Sequence, residues 1–121
     1  LMVSLIHFTN NHLLVSIEGN ILMENSKDFQ NSVQALLSGY PALGMLTFDF
    51  RKVQFMDSSG MGILIRTVAD LKKKNCTVNA VALNKNLYAV FHLSGLHTII
   101  KIHIQEDFYK TYPDFEKYKG I

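Results

Sequence analysis

The chain is poor in the features that tie a protein to an oxidising compartment, a bilayer or nucleic acid. Cys76 is its single cysteine, so no internal disulfide can form, and its place beside strand-forming residues reads as a buried thiol. A reducing, cytoplasmic setting is the expectation. No apolar run approaches the roughly 20 residues that a membrane-spanning helix needs, and the amino terminus lacks a charged segment followed by an apolar signal core. Direct membrane insertion is not expected. The formal net charge is only +2, and the lysines are dispersed except for Lys72-Lys73-Lys74, which ends a helical pattern and complements the helix dipole. Nucleic acid is therefore not an expected partner.

Catalytic signatures are missing too. There is no Gly-X-X-X-X-Gly-Lys-Ser/Thr or Gly-X-Gly-X-X-Gly loop to cradle a nucleotide. His7, His12, His92, His97 and His103 are scattered, with no His-Glu-X-X-His and no Cys/His pairing at zinc-ligand spacing. Met56 and Asp57 stand where a serine hydrolase would carry the first glycine of Gly-X-Ser-X-Gly. The acidic pair that an aspartyl-phosphate receiver carries after its first strand is also absent. No catalytic residue, metal or cofactor is expected, and the chain reads as a binding protein, not an enzyme.

What is present suits one folded domain over residues 1–121: 48% hydrophobic against 18% charged residues, with no repeat, low-complexity segment or long linker. Val3 to Phe8 and His12 to Glu18 read as an antiparallel hairpin around the turn residues Thr9-Asn10-Asn11. Phe29, Val33, Leu36, Leu37 and Tyr40 recur at helical spacing, with Asn25 or Ser26 as cap and Gly39 as stop. Leu46, Phe48 and Phe50 alternate with Thr47 and Asp49, the pattern of a strand with one face in the core. Met61, Leu64, Ile65, Val68 and Leu71 make the apolar stripe of a second helix over 58–74.

Val78 to Leu83 reads as a buried strand. Asn84 caps a short helix carrying Leu87, Val90 and Phe91, which Gly95 ends. Ile100, Ile102 and Ile104 form the last strand, and Glu106 to Tyr112 a final helix broken or kinked by Pro113. The expected architecture is an α/β sandwich: a mixed sheet of about five strands, opening with the hairpin, packed with about four helices. Residues 1–112 form its core and 113–121 a tail. Phe108, Tyr109 and Tyr112 are expected to pack inside, while Phe115 and Tyr118, if exposed, would mark a second interface.

Unusual choices coincide in one stretch, Phe55-Met56-Asp57-Ser58-Ser59-Gly60-Met61-Gly62. Two hydroxyls and two glycines open an amphipathic helix, so unpaired N–H groups and the positive end of the dipole lie beside the serines, where a phosphate is favoured. Phosphorylation would add roughly −1.5 to −2 charge, enough to repel a partner presenting carboxylates or apolar surface. Gly60 and Gly62 would leave the backbone low and exposed for that partner. The residues alone favour the plainer reading, in which Ser58 caps the helix and the glycines permit tight helix–sheet packing.

The hydrophobic strand, its connector, this block and the Ile/Leu-rich helix closely resemble the STAS domain of bacterial anti-sigma-factor antagonists. The resemblance runs from the first strand to about Tyr112 and includes Leu93-Ser94-Gly95-Leu96 after the third helix. It implies that Ser58, directly after the aspartate, is the phosphorylated residue, with Ser59 the second candidate. It also implies two partners: an anti-sigma factor that is itself the serine kinase and brings the ATP, and a metal-dependent serine phosphatase. The unphosphorylated form would bind the anti-sigma factor and free the sigma factor. The implied binding face is Leu22, Glu24, Asp57, Ser58, Ser59, Gly60, Met61 and Gly62. Leu22 departs from the family, which commonly has Gly-Glu-Leu-Asp where this chain reads Gly19-Asn20-Ile21-Leu22; Glu24 is a nearby carboxylate. That departure keeps a rival reading open: an unphosphorylated STAS adaptor subunit of a transport or other signalling complex.

Overall fold

The computed structural model describes all residues, 1–121. Five strands form one sheet in the order β1 (Met2–Thr9), β2 (His12–Glu18), β3 (Met45–Lys52), β4 (Thr77–Val81) and β5 (Lys101–His103). The hairpin β1–β2 is antiparallel and the remaining pairs are parallel. Asn10 and Asn11 make the hairpin turn with φ of 52° and 57°. Both central residues of a two-residue hairpin loop need that left-handed backbone if its twist is to match the strands, and asparagine tolerates it.

Crossovers join the parallel strands: α1 (Ser26–Leu37), α2 (Ser58–Lys73) and α3 (Lys85–Leu93). The helix α4 (Gln105–Thr111) and a 3-10 turn over Pro113–Tyr118 close the chain, and a shorter 3-10 turn, Leu96–Thr98, precedes β5.

The helices α1, α2 and α3 pack on one face of the sheet. Phe29, Val33, Leu64, Val68, Leu87 and Phe91 meet Leu13, Val15, Ile17, Leu46, Phe48 and Phe50 there. The period-2 pattern of β3 suggested a single buried face, yet Thr47 and Asp49 on the other side are buried as well. The reason lies at the carboxyl end, where Phe108, Tyr109 and Phe115 cover Leu14 and Val81 on the second face. Residues 113–121 are thus not a separate tail beyond a core ending at 112. Phe115 is 1% exposed and the Tyr118 hydroxyl lies 3.1 Å from His7 Nδ1, so these aromatics form no second interface.

Two strand ends fall short of their sequence patterns. β4 stops at Val81 because Ala82 takes φ 64°, a left-handed backbone that breaks the ladder before Leu83. β5 stops at His103 because Ile104 becomes the N-cap of α4, its carbonyl accepting the Phe108 N–H at 3.0 Å.

A polar thread crosses the second face under its aromatic cover. His103 Nε2 lies 3.1 Å from Asn79 Oδ1, Asn79 Nδ2 donates to Thr47 Oγ1 at 3.0 Å, and the same hydroxyl meets His12 Nε2 at 2.6 Å. One polarity satisfies every group: His103 donates to Asn79, Asn79 to Thr47, and the Thr47 hydroxyl to an unprotonated His12 nitrogen. Burial, then the neighbouring His103, lowers the His12 pKa to about 4. His103 is lowered too, by burial and Lys101.

A histidine held below its unfolded value contributes stability that is complete above about pH 6.5 and is lost as pH falls toward 4. For His12 that span is worth about 3 kcal/mol. Urea unfolding at pH 7.5 and pH 4.5 should show the loss, and His12→Gln should flatten it; an unchanged midpoint would contradict the assignment.

Gly60, in the first turn of α2, carries the other tight constraint. A Cβ built there would press into the Ile21 carbonyl, 2.8 Å from its carbon and closer still to its oxygen. Both groups are backbone, so relief requires α2 to move. Gly60→Ala should therefore cost about 1–3 kcal/mol of stability, whereas Gly62→Ala, with nothing within 4 Å of its Cβ, should cost nothing measurable in the same denaturation experiment.

Candidate functional site

Two loops leave the carboxyl ends of adjacent parallel strands, the position where open α/β sheets commonly place their sites. One runs from Gly19 to Asn25 between β2 and α1, the other from Val53 to Asp57 between β3 and α2. Main-chain bonds carry the strand pairing into both: Ile21 N donates to Phe55 O, and Asp57 N to Ile21 O, each at 3.3 Å. Side-chain amides lock the loops further. Asn20 Oδ1 accepts from Gln54 N at 3.2 Å and Phe55 N at 3.0 Å. Asn25 takes the Leu22 N–H at 2.8 Å and donates to Asn20 O at 2.9 Å, so it holds the loop instead of capping α1 with its side chain. Asn84, the N-cap of α3, donates to Gln54 O at 3.1 Å.

Asp57 ties this assembly to α2. It is the N-cap, its Oδ1 accepting from Gly60 N at 2.8 Å, and its Oδ2 reaches across to Met23 N at 2.9 Å. These two N–H groups, the Gly60 one first, hold its carboxyl below the usual range. With an N–H on each oxygen, the carboxylate serves as a brace and is poorly placed to act as a base for the neighbouring hydroxyl. Ser58 is accordingly not the cap. It is the first residue of the helix, exposed, with its hydroxyl free of intrachain bonds.

The residues predicted from sequence all gather at this end of the sheet, Leu22 and Glu24 on one loop and Asp57 to Gly62 on the other. Their exposure differs. Ser58, Gly62 and Glu24 are exposed; Leu22, Asp57, Ser59 and Met61 are half-buried. Gly60 departs from the expectation of an accessible backbone, since it is buried against Ile21 and serves packing. Two apolar side chains on these loops lay outside the binding face implied from the sequence: Met23 is 72% exposed and Phe55 50%. An available signal was their position, each standing outside the periodic apolar pattern of its neighbouring element. Asn20 and Asn25 gave none, because loop-locking amides look like ordinary turn residues.

A family model described as Mlab, STAS domain, matches residues 4–103. The chain is 29% identical over 58 residues to the anti-sigma-B factor antagonist of Listeria monocytogenes, the aligned stretch being 48% of this chain and 51% of that protein. It thus spans about half the length of the curated relatives it matches. Among solved structures, the unphosphorylated anti-sigma factor antagonist SpoIIAA, a Bacillus cell fate determinant, aligns with TM-score 0.62 at 16% identity, covering 99% of this chain and 100% of that one. The murine anion transporter Slc26a9 aligns with TM-score 0.69 at 17% identity, covering 84% of this chain but 18% of the transporter. At such identities a structural likeness shows the fold alone. The family match extends from the first strand to the last, and the chain belongs to the STAS domain family.

Proposed function

We propose that this chain is an anti-sigma factor antagonist switched by phosphorylation of Ser58. The observation that carries the reading is the exposed Ser58 hydroxyl on the first residue of α2, beside exposed Met23 and Phe55 on a clamped pair of loops. In the unphosphorylated state these apolar side chains and the open surface at Gly62 offer a partner an apolar patch beside the serine. Phosphate on Ser58 would be tolerated by the helix itself, whose N-terminal dipole favours an anion. It would also place roughly −1.5 to −2 charge at the centre of an apolar contact, where desolvation opposes binding.

The added charge also stands next to Asp57, the residue that pins the Met23 loop, so repulsion acts on the brace as well as on the partner. The partner in this reading is an anti-sigma factor with serine kinase activity that supplies the ATP, and a metal-dependent serine phosphatase reverses the mark. Leu22, half-buried where the family commonly has an aspartate, makes that partner's face more apolar than an acidic loop would.

A second reading has one observation behind it, the likeness to a segment of the Slc26a9 transporter. There the same fold would act as an unphosphorylated adaptor in a transport complex. Capture with the tagged chain from its native cells separates the two: an ATPase-fold kinase among the bound proteins supports the switch, transporter subunits the adaptor.

Incubation with the captured kinase and ATP should place phosphate on Ser58 by mass spectrometry. Modification solely elsewhere, including Ser59 alone, would sink the Ser58 assignment. Ser58→Asp should weaken kinase binding about tenfold, or ~1.4 kcal/mol, while Ser58→Ala leaves it within a factor of two. Phe55→Ala should cost a similar tenfold without changing the unfolding midpoint, as expected for an exposed interface aromatic.

A further inference from the structure

The far edge of the sheet carries a surface that the Ser58 reading does not use. β5 pairs only with β4, and no loop, turn or side chain bonds the main chain of Lys101, Ile102 or His103. Its outward N–H and C=O groups are a template for another extended strand. A groove of about 710 Å³ runs between this strand and α3, and a second of about 500 Å³ continues it toward the start of β4.

The two grooves share His97, Ile100 and Lys101, and neither has an aspartate or glutamate in its lining. Lys72 stands in the second groove and His92 and His103 in the first, so every ionisable group along the edge, Tyr88 and the buried Cys76 thiol aside, is basic. Asp107, which acts electrostatically on His103, lies outside both linings.

The imidazoles are held in place. His92 Nδ1 lies 2.9 Å from the Tyr88 carbonyl and His97 Nδ1 3.2 Å from that of Phe91. A carbonyl only accepts, so each Nδ1 carries the proton and each Nε2 is left free. The rings stack at 4.4 Å with 16° between them. Apolar surface alternates with these groups: Ile104 is 72% exposed and Tyr88 52%.

We propose that the β5 edge binds an extended acidic peptide segment of another protein by strand addition. Its main chain would pair with Lys101 to His103, its carboxylates would face Lys72, Lys101, His92 and His97, and its apolar side chains would rest on Ile104 and Tyr88. A free small anion matches the charge but leaves the edge unpaired, and a basic peptide matches the edge but not the charge. The opposite edge, β1, contains no Lys, Arg, Asp or Glu and offers no such selection.

The test is a ¹H–¹⁵N NMR titration of the full chain with an acetylated, amidated hexapeptide of alternating glutamate and valine. The amides of Lys101 to Gln105 should shift and those of Met2 to Thr9 should not. Lys72→Glu combined with Lys101→Glu, both at exposed positions, should weaken binding at least about tenfold, and the lysine–valine analogue should leave the wild-type spectrum unchanged. No shift at about 1 mM peptide, shifts centred on β1, undiminished binding by the double variant, or the same shifts from free glutamate at equal carboxylate concentration would each overturn the proposal.

Discussion

How closely α2 approaches the loop after β2 is set by a contact between two backbones. Gly60 lies against the Ile21 carbonyl with no room for a side chain, and the same carbonyl accepts the Asp57 N–H. Because a glycine stands there, the first turn of the helix can settle onto the loop and Asp57 can reach both Gly60 N and Met23 N. A helix start displaced by even a methyl group would pull those bonds apart. The exposure of Ser58 beside Met23 and Phe55 follows from this contact and from the Asn20 and Asn25 amides that hold the loops in register.

The other face of the sheet meets a different constraint. A parallel sheet needs both faces covered, and α1, α2 and α3 cover one. The carboxyl-terminal helix and 3-10 turn supply the second cover, thinner and more aromatic, over a polar thread of four side chains. Each member has its partner, as a buried polar group requires, but the thread holds only while His12 remains uncharged. The helical face has no histidine among its core residues.

Most of the fold was legible because its elements are locally consistent. The Asn10-Asn11 turn, the α2 stripe, the Asn84 cap and the Gly95 stop each announce themselves within a few residues, and each stands where the pattern puts it. The failures at the second face of β3 and at Gly60 share a cause, that they depend on partners distant in sequence. Alternation in β3 cannot reveal that Phe108 and Phe115 will bury Thr47 and Asp49. A glycine beside a serine looks equally suited to docking and to packing until the Ile21 carbonyl is placed against Gly60. Within the candidate site the hydroxyl and the aspartate stood out by residue type, whereas the packing role of Gly60 did not. The clamp was not readable, because Asn20 acts through main-chain groups 34 and 35 residues away.

The two loops are braced by Asn20, Asn25, Asp57 and Asn84 before any partner arrives. A surface already fixed in shape has little conformational entropy left to lose on association, so less of the contact energy is consumed by ordering. It also follows that such a surface would signal through changes in what it displays more readily than through changes in its form. In the proposed switch, a single covalent mark on Ser58 would be read at the face that carries it, without a structural relay through the sheet.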